Sequence, residues 1–278
     1  MKSVKIALGQ LLVEGGEPER NFERAHKMIV QAKKEACELI VLPETIDFAW
    51  THPSSLKEAQ EIPGPFSHQF CAWAKENDIY VCVGLTEKRG AKNYNTAILI
   101  NNQGEIVLKY AKTNLLTVEF PFYEVGTQLG VVDTPFGRIG LNICADNYKE
   151  STHIAKTLAS MGAQMILSPS SWTVDHFIKE DEDPYRDKWL FPLHHVCHYF
   201  NTHIVSVTSV GYIVGGPYEG KKMVGCSLVV GPEGLIKQGL FNEFAGEFSS
   251  VELQIKTQEE KGVEIGQSLK KKGYNFEW

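Results

Sequence analysis

What this chain lacks narrows its class before any motif is considered. Its six cysteines, Cys37, Cys71, Cys82, Cys144, Cys197 and Cys226, are scattered singly, without the CxxC pairs of a zinc site or a thioredoxin-like motif. Most lie in apolar company, as Cys82 does in IYVCVGL and Cys226 in VGCSLVV, which is the usage of free buried thiols in a reducing compartment. No apolar stretch approaches the roughly 20 residues of a membrane span. Met1 runs straight into the strand-like VKIALGQLLV, not into a charged n-region, an apolar h-region and a small-residue cleavage site. The expectation is a soluble, cytoplasmic protein with no membrane partner. Basic charge is also short: 28 Lys and Arg face 34 Asp and Glu, for a formal net charge of -6, and this argues against a nucleic-acid partner. There is no P-loop pattern, low-complexity linker or abrupt change of composition. The 278 residues are therefore taken as one domain over 1–255, followed by a charged extension over 256–278.

What is present is an alternation of short β-rich runs with amphipathic segments of helical length. A chain 43% hydrophobic can bury a large core without disulfides or metals. VKIALGQL reads as a first strand. NFERAHKMIVQAKKEACE carries Phe22, Ala25, Met28, Ile29 and Ala32 at helical spacing, with Asn21 placed to cap it. ELIVLPE reads as a strand, PFSHQFCAWAKEND as a helix, and IYVCVGLTEK, YNTAILIN and GEIVLKYAK as strands, with Gln103–Gly104 at a hairpin turn. The second half repeats the pattern: GVVDTPFGRIGLNIC holds two strands, STHIAKTLASMGA a helix and QMILSPS a strand. WLFPLHHVCHYFNT reads as a helix, THIVSVTSVG as a strand, and KMVGCSLVVGPEG with IKQGLF as a closing hairpin. Two such blocks predict an α/β fold of two layered sheets covered by helices. The tail KTQEEKGVEIGQSLKKKGYNFEW reads either as a solvated extension or, given Phe276 and Trp278, as an arm packing on a partner subunit.

Three residues break the apolar pattern at strand ends. Leu39–Leu42 ends in Pro43-Glu44, where a poorly solvated carboxylate has a raised pKa and is prepared for proton transfer. IVLKYAK ends in Lys112, which needs a carboxylate partner to keep its proton in such surroundings; Glu119 follows in VEFPFYE. GRIGLNIC ends in Cys144, and ADNYKES opens a helix whose N-terminus would favour thiolate and whose free amides would hold an oxyanion. Each has an ordinary alternative: a Glu or Lys that has reached solvent, or a small buried core cysteine.

In combination, Glu44, Lys112 and Cys144 in that order resemble the nitrilase superfamily of carbon–nitrogen hydrolases. The similarity runs through about Leu253 and includes the Gly-Gln ending the first strand, IVLPET, YNTAILI, the YAK leading to Lys112, GRIGLNIC and GCSLVVGPEG. The resemblance implies a four-layer α-β-β-α sandwich, a homodimer or higher homo-oligomer, and no metal or organic cofactor. It implies Cys144 as nucleophile, Glu44 as general base, Lys112 as oxyanion donor with the Ala145 backbone N–H as a second, and Glu119 as the residue positioning substrate and Lys112. The chemistry implied is acyl transfer through a thioester.

The chain departs from the family pattern around the site. It has Lys112-Thr113-Asn114-Leu115 where many members read Lys-x-His-Leu. CADNYKE is one residue shorter than the usual segment and lacks its Arg and Pro; Cys197-His198-Tyr199-Phe200-Asn201 keeps only the Asn of Arg-Ala-x-Glu-Asn. The Cys-Trp-Glu of true nitrilases is absent, which favours a small linear amide or N-carbamoyl substrate over a nitrile. Phe48, Tyr148 and Trp172 are candidate pocket walls and Ser170 a candidate substrate contact, though aromatics and strand-end serines are as often plain core. The acidic insert over 175–189, with Arg186, is a candidate gating loop or partner contact, or simply solvated surface. A nitrilase, a glutaminase module serving a separate synthetase, and a non-catalytic binding protein of the same fold are the other readings.

Overall fold

The computed structural model describes residues 2–179, 185–256 and 264–273. The first half contributes β1 (Lys2–Gln10), β2 (Leu39–Val41), β3 (Tyr80–Arg89), β4 (Lys92–Ile100) and β5 (Ile106–Ala111). The second contributes β6 (Val131–Thr134), β7 (Gly137–Leu141), β8 (Met165–Ser170), β9 (Thr173–Val174), β10 (His203–Thr208), β11 (Val210–Tyr212), β12 (Lys222–Val224), β13 (Leu228–Gly231), β14 (Gly234–Gln238) and β15 (Glu247–Ile255). They form two six-stranded sheets, ordered β15-β1-β2-β3-β4-β5 and β14-β13-β10-β8-β7-β6, with β11, β12 and β9 in a small third sheet. The helices are α1 (Pro18–Lys34), α2 (Ser55–Glu58), α3 (Pro65–Glu76), α4 (His153–Ser160), α5 (Tyr185–Phe200) and α6 (Glu264–Lys271).

Strand periodicity builds the layers. Along β1, β2 and β4, alternate residues Val4, Ile6, Leu8, Leu39, Val41, Ala97 and Leu99 pack between the sheets against Ile139, Leu141 and Leu167. The residues between them, Ala7, Ile40, Ile98 and Ile100, face outward onto Phe22, Ala25 and Ile29 of α1 and Phe70 and Ala74 of α3. Helices α4 and α5 cover the second sheet through Ile154, Leu158, Leu193 and Val196. The result is the expected α-β-β-α sandwich.

Strand direction then gathers the chemistry. β1, β2 and β3 are parallel, and β5 regains that direction after two antiparallel steps; β7, β8 and β10 are parallel in the other sheet. Chain segments leaving the carboxyl ends of β2, β5, β7 and β8 meet at one end of the sandwich, the usual place for a site in parallel α/β sheets. The Glu44 N–H donates across to the Ser170 carbonyl at 3.4 Å, which joins the two sheets there.

Several sequence expectations are corrected. Helix α1 begins at Pro18, not after Asn21, because proline is pre-formed for the first helical position. Asn21 is instead buried inside the helix, exchanging two 2.8 Å hydrogen bonds with the Glu14 backbone. ADNYKES opens no α-helix: two short 3-10 turns, Cys144–Asn147 and Lys149–Ser151, precede α4, since the extended backbone at Tyr148 breaks the run. KMVGCSLVVG is not one strand, because Gly225 and Cys226 both have left-handed φ and separate β12 from β13. β15, passed over in the sequence, pairs with all nine residues of β1. The tail contains a short helix, α6; Phe276 and Trp278 lie outside the described residues, as do residues 180–184 of the acidic insert and the Arg186 side chain. No described helix is long and apolar enough to cross a membrane.

Candidate active site

Lys112 follows the last residue of β5 and has no exposed surface. Its backbone is pinned from both sides, by its own N–H to the Asn95 carbonyl at 2.8 Å and by the Gly126 N–H to its carbonyl at 2.9 Å. Its Nζ lies 3.0 Å from Glu44 Oε1 and 2.9 and 3.0 Å from the two oxygens of Glu119. Burial alone would pull this lysine down, but the Glu119 and then the Glu44 carboxylates reverse that and hold it well above 10.5. It is an ammonium in the resting protein.

The two carboxylates have different surroundings. Glu119 is fully engaged: Oε1 also accepts the Trp50 indole N–H at 2.8 Å, and Oε2 accepts the Leu116 N–H at 2.7 Å. Glu44 uses only one oxygen. Its Oε1 accepts from Asn95 Nδ2 at 2.6 Å and from Lys112, while the buried Oε2 has no hydrogen-bond partner. Burial lifts the Glu44 carboxyl above its ordinary 4.5; Lys112 opposes this and Glu119 adds to it. The result is a buried carboxylate with one free oxygen and a raised pKa.

Cys144 is buried at the start of its 3-10 turn, with Sγ directed to the Ser171 carbonyl at 3.7 Å. Its φ of 42° is in the left-handed region, which costs a non-glycine residue about 1–3 kcal/mol and persists only where the surroundings dictate it. Burial pushes the thiol well above its ordinary 9.0, the Glu44 charge pushes it further, and Lys112 opposes both. The sequence expectation of a helix-stabilised thiolate is thus corrected. No α-helix starts here, and burial and the Glu44 charge both favour the protonated thiol.

The remaining predicted residues divide. Ala145 is buried next to Cys144 in the same turn, and its carbonyl accepts from Tyr148 N–H at 3.2 Å and from the Ser151 hydroxyl. Tyr148 and Trp172 belong to one aromatic stack with Trp189 between them, each ring 4.6 Å from it. Burial pushes the Tyr148 phenol up to about 12. The Ser170 hydroxyl is engaged with Ser206 at 3.0 Å and the Ser168 carbonyl at 3.2 Å, and the Ser170 backbone carbonyl accepts the Glu44 N–H. Phe48 is not brought to this group: its buried ring packs against Phe66, in the layer of α3.

Sequence reasoning missed Asn95, Trp50 and Trp189. Asn95 was legible only as a polar residue in the apolar YNTAILI, and Trp50 carried no signal. Among the described residues, no three His, Cys, Asp or Glu side chains gather as a metal site.

Fold and site together define a four-layer sandwich holding a buried lysine between two carboxylates, beside a buried thiol. The chain belongs to the carbon–nitrogen hydrolase family, whose family model matches residues 5–261. It is 34% identical over 174 residues to a nitrilase of Pyrococcus abyssi, covering 60% of this chain and 65% of that protein. It is 29% identical over 184 residues to omega-amidase NIT2 of Bos taurus, covering 63% and 66%. These matches span just under two thirds of the relatives' lengths. Among solved structures, an amidase from Nesterenkonia sp. superposes with a TM-score of 0.78 at 19% identity, over 96% of this chain and 97% of that one. A mutant of the amidase from Nesterenkonia sp. AN1, with the acetamide moiety of fluoroacetamide on its active site cysteine, gives 0.77 over 91% and 90%. At that identity the likeness is one of fold.

Proposed function

We propose that this protein is a cysteine amidohydrolase that cleaves a small linear amide or N-carbamoyl compound through a thioester on Cys144. The observation that carries this reading is the asymmetry of Glu44. One oxygen is fixed by Asn95 and Lys112, the other is free, and the thiol beside it is too buried to ionise unaided. In the first half-reaction Glu44 takes the thiol proton as sulfur attacks the carbonyl carbon. The Lys112 ammonium and the Ala145 N–H stabilise the tetrahedral oxyanion. Collapse breaks the C–N bond, and Glu44 returns the proton to the leaving nitrogen. In the second half, Glu44 removes a proton from water, the hydroxide adds to the thioester, and the acid leaves as the thiol is reprotonated. Glu119, held by Trp50 and the Leu116 amide, fixes Lys112; Tyr148 and Trp172 wall the acyl pocket.

The bovine relative is named an omega-amidase and the Nesterenkonia protein an amidase, so the test begins with linear amides. Purified protein is incubated with short amides, N-carbamoyl amino acids and nitriles, and ammonia is measured. Release from amides or carbamoyl compounds is expected; turnover of nitriles alone would overturn the substrate assignment. The six free cysteines suit a reducing, cytoplasmic compartment. A homodimer or larger homo-oligomer is the assembly we expect, and sedimentation equilibrium measures it.

A further inference from the structure

Asp146, two residues after Cys144, is fully buried, and both of its oxygens are occupied. Oδ2 accepts the Tyr110 hydroxyl at 2.7 Å and the Ile143 N–H at 2.9 Å. Oδ1 accepts the Asn114 backbone N–H at 3.0 Å and the Asn114 side-chain amide at 2.8 Å. Tyr110 and Asn114 are the residues two before and two after Lys112. The Tyr110 oxygen also accepts the Thr113 N–H at 3.0 Å, so the chain on both sides of the lysine converges on this carboxylate. Its remaining partner, Ile143, is the residue immediately before the nucleophile, whose left-handed φ has to be held from outside.

Three of these bonds, from Tyr110 and Asn114, join segments from opposite sheets, and the fourth, from Ile143, ties the carboxylate to the cysteine's own segment. Lys112 extends from the first sheet and Cys144 from the second. A thiolate adding to a carbonyl places the oxyanion one bond from the carbon that the sulfur attacks. The ammonium and the sulfur must therefore keep a fixed separation through the reaction. We infer that Asp146 is a positioning residue that sets this separation, acting through Tyr110 and Asn114 on the lysine side and Ile143 on the cysteine side. The inference rests on the proposed roles of Cys144 and Lys112. It also accounts for Asn114, where many members of the family have histidine. The amide donates to Asp146 together with its own backbone N–H, holding the clamp without a side chain that titrates near neutral pH.

The test compares amide hydrolysis with alkylation of Cys144 by iodoacetamide, read at the Cys144 peptide by mass spectrometry. Alkylation needs the sulfur and its base but no oxyanion donor. In the Tyr110→Phe, Asn114→Ala double variant, which alters only the lysine side, kcat is expected to fall at least about ten-fold. KM and the alkylation rate are expected to stay within about two-fold, as ångström-scale misplacement affects the transition state and not binding. Asp146→Asn, which keeps the shape and loses an acceptor, is expected to lower kcat about 100-fold. If that variant does not fold, the double variant carries the test. Equal losses in kcat, KM and alkylation would show a structural role alone and overturn the inference, as would unchanged kcat in the double variant. Wild-type protein that neither releases ammonia nor is alkylated at Cys144 would instead contradict the reading of the site.

Discussion

At the scale of single residues, the fully buried Lys112 ammonium organises the site. Desolvating one cation and two carboxylates is costly unless every lone pair and proton is matched, and of these three groups Glu44 leaves its buried Oε2 unmatched. Removing a partner from such a group leaves a buried charge exposed to its neighbours alone, at a cost of about 3–5 kcal/mol. Glu119→Ala is therefore expected to lower thermal stability as well as activity. Cys144→Ala should abolish turnover while leaving the melting temperature unchanged, since a small buried group replaces another; activity near wild type would move the nucleophile elsewhere. The pH dependence follows from Glu44. Its carboxyl is raised in the folded state and must be ionised to act, so kcat/KM should fall as pH drops through a value above 4.5. Because Cys144 and Lys112 are both held well above their ordinary values, no matching alkaline loss from either is expected below about pH 9. Glu44→Gln should remove the acid limb and lower kcat by about 100- to 10,000-fold. An acid limb unchanged in that variant would assign the base to another group.

At the scale of elements, the turn carrying Glu44 is seated on β3. Gly84 donates to the Pro43 carbonyl at 3.0 Å and accepts from the Ile46 N–H at 3.0 Å. A Cβ added at Gly84 would stand 2.6 Å from the Glu44 Cα and 2.9 Å from the Pro43 oxygen, both backbone atoms that cannot swing away. Gly84→Ala is expected to destabilise the protein by about 1–3 kcal/mol and to reduce kcat, because the Glu44 carboxylate is displaced. Unchanged kinetics in a folded Gly84→Ala protein would show that the turn tolerates the shift. This level marks how far the sequence could be followed. Short β-rich apolar runs made β1, β3 and β4 legible, and the residues ending such runs marked Glu44, Lys112 and Cys144. The contacts that tune them were not legible: Asn95 reaches Glu44 across 51 residues and Trp50 reaches Glu119 across 69. Pairings of that separation arise only from folding. The helix expected after Cys144 is not formed because the left-handed backbone at Cys144 and the extended Tyr148 interrupt it, and neither has a composition signature.

At the scale of the molecule, the two ends of the sandwich domain meet in one sheet. β15 pairs antiparallel with β1 from Lys2–Ile255 to Gln10–Glu247, covering a strand whose Val4, Ile6 and Leu8 lie in the core between the sheets. A chain ended before Glu247 would leave β1 as a long apolar edge, the kind of edge that pairs with other chains. That truncation is expected to aggregate on expression, whereas a chain ended after Lys256 should fold and retain amide turnover. Failure of the second truncation to fold would assign a structural role to the extension that contains α6.

The proposed reaction requires that Cys144 carry the acyl group. Rapid quench of the protein with a substrate amide, followed by intact-mass and peptide mass spectrometry, tests it directly. A mass increase equal to the acyl group is expected on the Cys144 peptide, sensitive to hydroxylamine and absent from Cys144→Ala. Amide turnover with no adduct on Cys144, or with the adduct on another residue, would contradict it.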